Sequence, residues 1–140
     1  MKVELELDRK MRIIGSTPRG HETIFDTAAE VGGEDTAAKP MEVMLQAMAA
    51  CSFMDTISIL RKKRKEVDNL KIFADATRAE EHPQVLTEVH LKYVLISPDA
   101  EEEDLHRAVE LSQDKYCGAS AMFKLAGCKV TWEVEVQRPA

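Results

Sequence analysis

The chain has 140 residues, of which 44% are apolar, 31% charged and only 5% aromatic, and its net charge is −6. That length suits one domain, residues 1–140, which buries roughly two-thirds of its unfolded surface, with Leu, Ile, Val, Met and Ala filling the core. The acid excess argues against a nucleic acid or an anionic membrane as partner.

In chain order, Val3 to Leu7 alternates with Lys2, Glu4, Glu6 and Asp8, the pattern of a half-buried strand. Arg12-Ile13-Ile14-Gly15 and Glu22-Thr23-Ile24-Phe25-Asp26 read as two more strands, joined through the turn Ser16-Thr17-Pro18-Arg19-Gly20. The Gly32-Gly33 loop leads to Lys39-Pro40, where Pro suits a first helical turn, and Ala, Met and Leu carry that helix to about Lys65. Leu70 to Ala76 and Val85 to Ile96 alternate as two strands around a charged turn at Glu80-Glu81-His82-Pro83. Glu101 to Asp104 supply acids to the positive end of a helix that runs to about Tyr116. A second helix reaches about Ala126, Gly127 closes it, and Val130 to Val136 alternates as a last strand.

The order β-β-β-α-β-β-α-α-β groups strands between helices, which predicts an α+β fold. The long helix is apolar almost all round from Met41 to Leu60, which predicts burial on every side and a second copy of the chain to supply the cover. No stretch approaches the ~20 continuous apolar residues of a membrane span, and Met1-Lys2-Val3-Glu4 lacks an apolar signal core. A cytoplasmic protein is the expectation. Three cysteines without a framework spacing suit a reducing compartment.

Those cysteines carry the chemistry. Cys51 lies inside Ala49-Ala50-Cys51-Ser52-Phe53-Met54-Asp55, with Met44, Met48 and Asp55 on its helix face. A carboxylate one turn away disfavours a thiolate, so a reactive Cys51 needs a cation nearby. Cys117, in Lys115-Tyr116-Cys117-Gly118-Ala119-Ser120, stands where one helix stops and another starts, and unpaired N–H groups there favour thiolate. Cys128, after Gly127, reads as structural. No Cys-x-x-Cys or His-Glu-x-x-His is present and His21, His82, His90 and His106 show no ligand spacing, so no metal is expected. The basic run Arg61-Lys62-Lys63-Arg64-Lys65 suits the negative end of the long helix better than nucleic acid.

Lys39-Pro40-Met41-Glu42-Val43-Met44-Leu45, then Ala49-Ala50-Cys51-Ser52, then Lys115-Tyr116-Cys117 together resemble the OsmC / organic hydroperoxide resistance family over about residues 1–137. The resemblance implies an intertwined homodimer with central Cys-bearing helices and no haem, flavin or metal cofactor. It implies a peroxidatic Cys51, a resolving Cys117, organic or lipid hydroperoxides as substrates and a lipoyl- or thioredoxin-type dithiol as reductant. Met44, Met48, Phe53, Met122 and Phe123 would then form an apolar substrate wall. In the family's peroxidases the residue after the helix-starting Pro is typically acidic and pairs with an activating Arg. Here that residue is Met41 and the acid follows at Glu42, with Arg19 the first candidate for the arginine and Arg12 the next. This departure resembles an OsmC-like branch of less defined activity. Two other readings stay open: a non-catalytic protein binding an apolar small molecule at the dimer interface, and a thiol redox sensor.

Overall fold

A computed structural model describes residues 1–140, which form two compact units, Met1–Met44 and Leu45–Ala140. In the first, β1 (Glu4–Arg9), β2 (Arg12–Ser16) and β3 (Glu22–Phe25) make an antiparallel meander in that order. Gly20 closes the β2–β3 turn at φ 85°, a conformation that costs Gly nothing because it has no Cβ. The half-buried first strand expected from its alternation is corrected: every residue of β1 is exposed, Leu5 and Leu7 included. Alternation decides which side chains share a face, and what covers that face lies outside the strand.

Between β3 and the long helix the chain folds around Asp26, a buried carboxylate. It accepts hydrogen bonds from the Thr27 N–H (2.8 Å), the Thr36 N–H (3.0 Å) and the Thr36 hydroxyl (2.5 Å). Gly33 is required in this loop, because a Cβ there would stand 2.1 Å from the Thr27 carbonyl oxygen.

Helix α1 spans Pro40–Lys62. Pro40 opens it, and the Glu42 carboxylate accepts the Lys39 N–H at 3.0 Å, half of a capping box. The helix ends short of the expected Lys65. Arg64 turns left-handed (φ 60°), its N–H bonds to the Arg61 carbonyl and the Lys65 N–H to the Leu60 carbonyl, the paired bonds of a Schellman stop. Within one chain, burial is confined to a single stripe of α1. Met48, Ser52, Thr56 and Leu60, spaced by four, form the buried stripe, whereas Met44 and Met54 are exposed. By length and composition α1 is long and apolar enough to cross a membrane, contrary to the reading of the sequence. Its polar residues Ser52, Asp55 and Thr56 nevertheless hold partners inside the Leu45–Ala140 unit.

In that second unit β4 (Asn69–Arg78) and β5 (Leu86–Ile96) pair antiparallel, and β6 (Lys129–Gln137) joins β5 in parallel. Parallel pairing needs a crossover. It is supplied by α2 (Glu102–Leu111), a π-helical turn (Ser112–Tyr116) and α3 (Gly118–Leu125). The regular helix expected to reach Tyr116 thus stops at Leu111. Asp104 accepts the Glu101 N–H at 2.9 Å and completes a capping box with Glu101. The core of this unit gathers Met48, Leu60, Leu91, Tyr93, Leu95, Leu105, Val109, Phe123 and Cys128. Cys128 therefore packs as a small apolar side chain, as read from the sequence.

Candidate active site

Cys51 and Asp55 stand one helical turn apart on α1, and Cys117 is the N-cap residue of α3. The fold brings them together: the Cys51 and Cys117 sulfurs and an Asp55 carboxylate oxygen all lie within 4.8 Å of one another. All three cysteines are free thiols. Cys51 is half-buried, while Cys117 is 3% exposed.

The π turn aims Cys117. One extra residue per turn lets the Cys117 N–H reach the Ser112 carbonyl at 2.7 Å, and the backbone then turns extended into α3. The Cys117 sulfur accepts the Ser120 N–H at 3.3 Å and lies 4.0 Å from the Met48 carbonyl oxygen. Burial pushes the Cys117 thiol up from its ordinary value, the Ser120 hydroxyl and N–H oppose that rise, and Cys51 adds to it. The Ser120 hydroxyl itself is fully buried beside the sulfur and makes no hydrogen bond of good geometry.

Behind the thiols runs a chain of buried polar groups. The Ser112 hydroxyl donates to Asp55 Oδ2 (3.0 Å) and has one hydrogen to give, so the Ser52–Ser112 contact (2.9 Å) is donated by Ser52. The Ser52–Tyr93 contact (2.5 Å) is then donated by the Tyr93 hydroxyl. Gln113 Nε2 donates to Tyr93 Oη (2.9 Å) and to Ser52 Oγ (3.2 Å). Every hydroxyl hydrogen thus points along the series Tyr93, Ser52, Ser112, Asp55, and the carboxylate is held by a serine rather than by a cation. Burial raises the Tyr93 phenol above its ordinary value, against the pull of Ser52 and Gln113. Lys124 Nζ donates to the Gln113 carbonyl at 2.7 Å and anchors the π turn to α3. A cavity of about 370 Å³ opens on Asp55, lined also by Ser58, Ile59, Lys62, Lys63, Leu111 and Tyr116.

Arg19 is exposed in the turn before β3, and Arg12 donates to Asp8 (3.0 Å) and Thr36 (2.6 Å). Glu42 caps α1, and Met44 is exposed on that helix. Of the expected apolar wall, Met48 and Phe123 are buried in the core, Phe53 packs against it and Met122 is exposed. Met48 and Phe123 face the core, because they lie on the buried stripes of their helices.

Ser52, Tyr93, Ser112 and Gln113 went unread in the sequence. A trace of them was there, since Ser52 and Thr56 continue a four-residue spacing between Met48 and Leu60 along an otherwise apolar helix. Ser112-Gln113 likewise interrupts the apolar face of α2 at its end.

Residues 32–133 match the family model described as OsmC-like protein. Protein YhfA of Escherichia coli (strain K12) is 30% identical over 136 residues, 97% of this chain and 98% of that protein. The crystal structure of a hypothetical protein from Aquifex aeolicus VF5 is similar at 38% identity and a TM-score of 0.80, over 97% of this chain and 96% of that one. The organic hydroperoxide resistance protein OhrB of Bacillus subtilis shares the fold at 16% identity and a TM-score of 0.62, over 96% of both chains.

Proposed function

Because this chain belongs to the OsmC-like protein family, we propose that its paired thiols make it a Cys-dependent peroxidase that reduces organic hydroperoxides in oxidative stress defence. The observation that carries the proposal is the approach of the Cys51 and Cys117 sulfurs to within 4.8 Å. A fold neighbour bears the name of an organic hydroperoxide resistance protein, but at 16% identity it lends fold alone, so the weight rests on the sulfurs.

Cys51, the more accessible of the two, is the nucleophile. Its thiolate attacks the terminal peroxide oxygen, an S–O bond forms as O–O breaks, and the alkoxide leaves and takes a proton as alcohol. The Cys117 sulfur then attacks the sulfenic acid, S–S forms, S–O breaks and water departs with the thiol proton. A disulfide needs the sulfurs about 2.0 Å apart, so side-chain rotation closes the remaining gap. Asp55, fixed by Ser112, is suited to carry the proton from Cys117 to the departing hydroxide. Burial disfavours the Cys117 thiolate, which supports Cys51 rather than Cys117 as the first nucleophile. An external dithiol reopens the disulfide by exchange.

The protein acts as a cytoplasmic homodimer in this reading. The exposed apolar side chains of β1 and α1 support a second copy, and Arg19 and Glu42 remain the candidates for activating Cys51.

The test is mass spectrometry of reduced protein after one equivalent of cumene hydroperoxide. A Cys51–Cys117 disulfide is expected in the wild type. Cys51→Ser abolishes peroxide consumption, and Cys117→Ser consumes one equivalent and then over-oxidises. Unchanged consumption in Cys51→Ser, or none in the wild type with a lipoyl or thioredoxin-type dithiol present, overturns the proposal. A disulfide that forms once and does not turn over would instead mark a redox sensor.

A further inference from the structure

Two thiol sulfurs and a carboxylate oxygen within 4.8 Å of one another are also the donor set of a thiophilic cation. Around a tetrahedral zinc ion, with Zn–S of about 2.3 Å and Zn–O of about 2.1 Å, neighbouring ligand atoms stand roughly 3.5–3.8 Å apart. Contraction by little more than about 1 Å would therefore bring the trio onto one ion. Two of the ligands ride on a single rigid helix at adjacent turns, and the third is fixed as the N-cap of α3.

The surroundings are those of a metal site as well. Ser112 donates to Asp55 Oδ2, which orients the carboxylate and leaves its other oxygen for an ion. Ser120 gives its N–H to the Cys117 sulfur, and its buried, unpartnered hydroxyl has a hydrogen free to turn toward a thiolate. Two thiolates and a carboxylate outweigh a divalent cation by one negative charge. Lys62 and Lys63, which line the same cavity as Asp55, supply positive charge beside it.

We propose that Cys51, Asp55 and Cys117 bind one thiophilic divalent cation, zinc by its donor set, leaving one coordination position for water or an added ligand. The site shares its thiols with the proposed peroxidase but does not depend on turnover. Metal and disulfide exclude each other, because oxidation withdraws two of the three ligands, so bound metal would shield the thiols from peroxide.

The test is titration of fully reduced protein with Cd²⁺ or Co²⁺ in the absence of peroxide, followed by thiolate-to-metal charge-transfer absorption. Zn²⁺ affinity is then measured by competition with a chromophoric chelator. One ion per protomer is expected, with Cys128→Ala binding like the wild type. Cys51→Ser and Cys117→Ser should each lose the charge-transfer band. Asp55→Asn should weaken binding, and Ser112→Ala should weaken it by about tenfold, the effect of losing an outer-shell partner. The disulfide-oxidised wild type, an unmutated folded control, should bind none. Equal binding by reduced and oxidised protein, unchanged affinity in Asp55→Asn, or no charge-transfer band at all would overturn the site. Peroxide turnover without metal binding would sink this inference alone, and metal binding without turnover would sink the peroxidase alone.

Discussion

The Tyr93 hydroxyl sits in a fully buried side chain, donating to Ser52 and accepting from Gln113. Neither partner has water to turn to, so its removal leaves buried polar groups unsatisfied. Tyr93→Phe is expected to destabilise the protein by about 1–3 kcal/mol in urea unfolding, with an unchanged m-value. A neutral result would mean that the chain of hydroxyls does not hold Asp55 in solution. At this scale Cys51 and Cys117 were legible from their segments, one in an apolar helix and one at a helix junction. Their polar support was not, because Ser, Tyr and Gln acquire a role from their partners, and those partners arrive from β5 and the π turn.

Among the elements, the loop from Asp26 to Thr36 shows how one carboxylate organises a segment without regular structure. The Thr36 hydroxyl, foremost, together with the Thr27 and Thr36 N–H groups, holds the Asp26 carboxyl down at about 2, against an ordinary 3.8. A depressed folded pKa contributes stability that is fully present above the unfolded value and lost as pH falls through the folded one. Thermal melts should therefore show a wild-type advantage over Asp26→Asn that holds above pH 3.8 and fades toward pH 2. A difference independent of pH would assign the effect to shape rather than charge. Element identities and order were legible throughout, since periodicity, the Pro40 start and the Gly127 stop act within a few residues. The true ends of α1 and α2 were not. A Schellman stop at a non-glycine residue and a π turn depend on backbone bonds that side-chain type does not announce.

For the whole molecule, the outstanding property is apolar surface. Met54 is 72% exposed on α1, and Leu5 and Leu7 of β1 are exposed as well. Such surface points to a partner, and the proposed partner is a second copy. Sedimentation equilibrium should report a dimer, with Met54→Lys shifting the population toward monomer while the far-ultraviolet circular dichroism stays unchanged. A monomeric wild type at micromolar concentration would remove the dimer from the proposal.

The sequence by itself determined the α+β class, the run of elements and the two cysteine segments that mark the family, because strand alternation, helix propensity and capping are short-range properties of the chain. Tertiary structure alone decided that Cys51, Asp55 and Cys117 converge, that Met48 and Phe123 face the core, and that a buried series of hydroxyls ends at Asp55. These outcomes depend on the parallel β5–β6 crossover and the π turn within it, which bring together residues far apart in the chain whose own neighbours give no sign of the meeting.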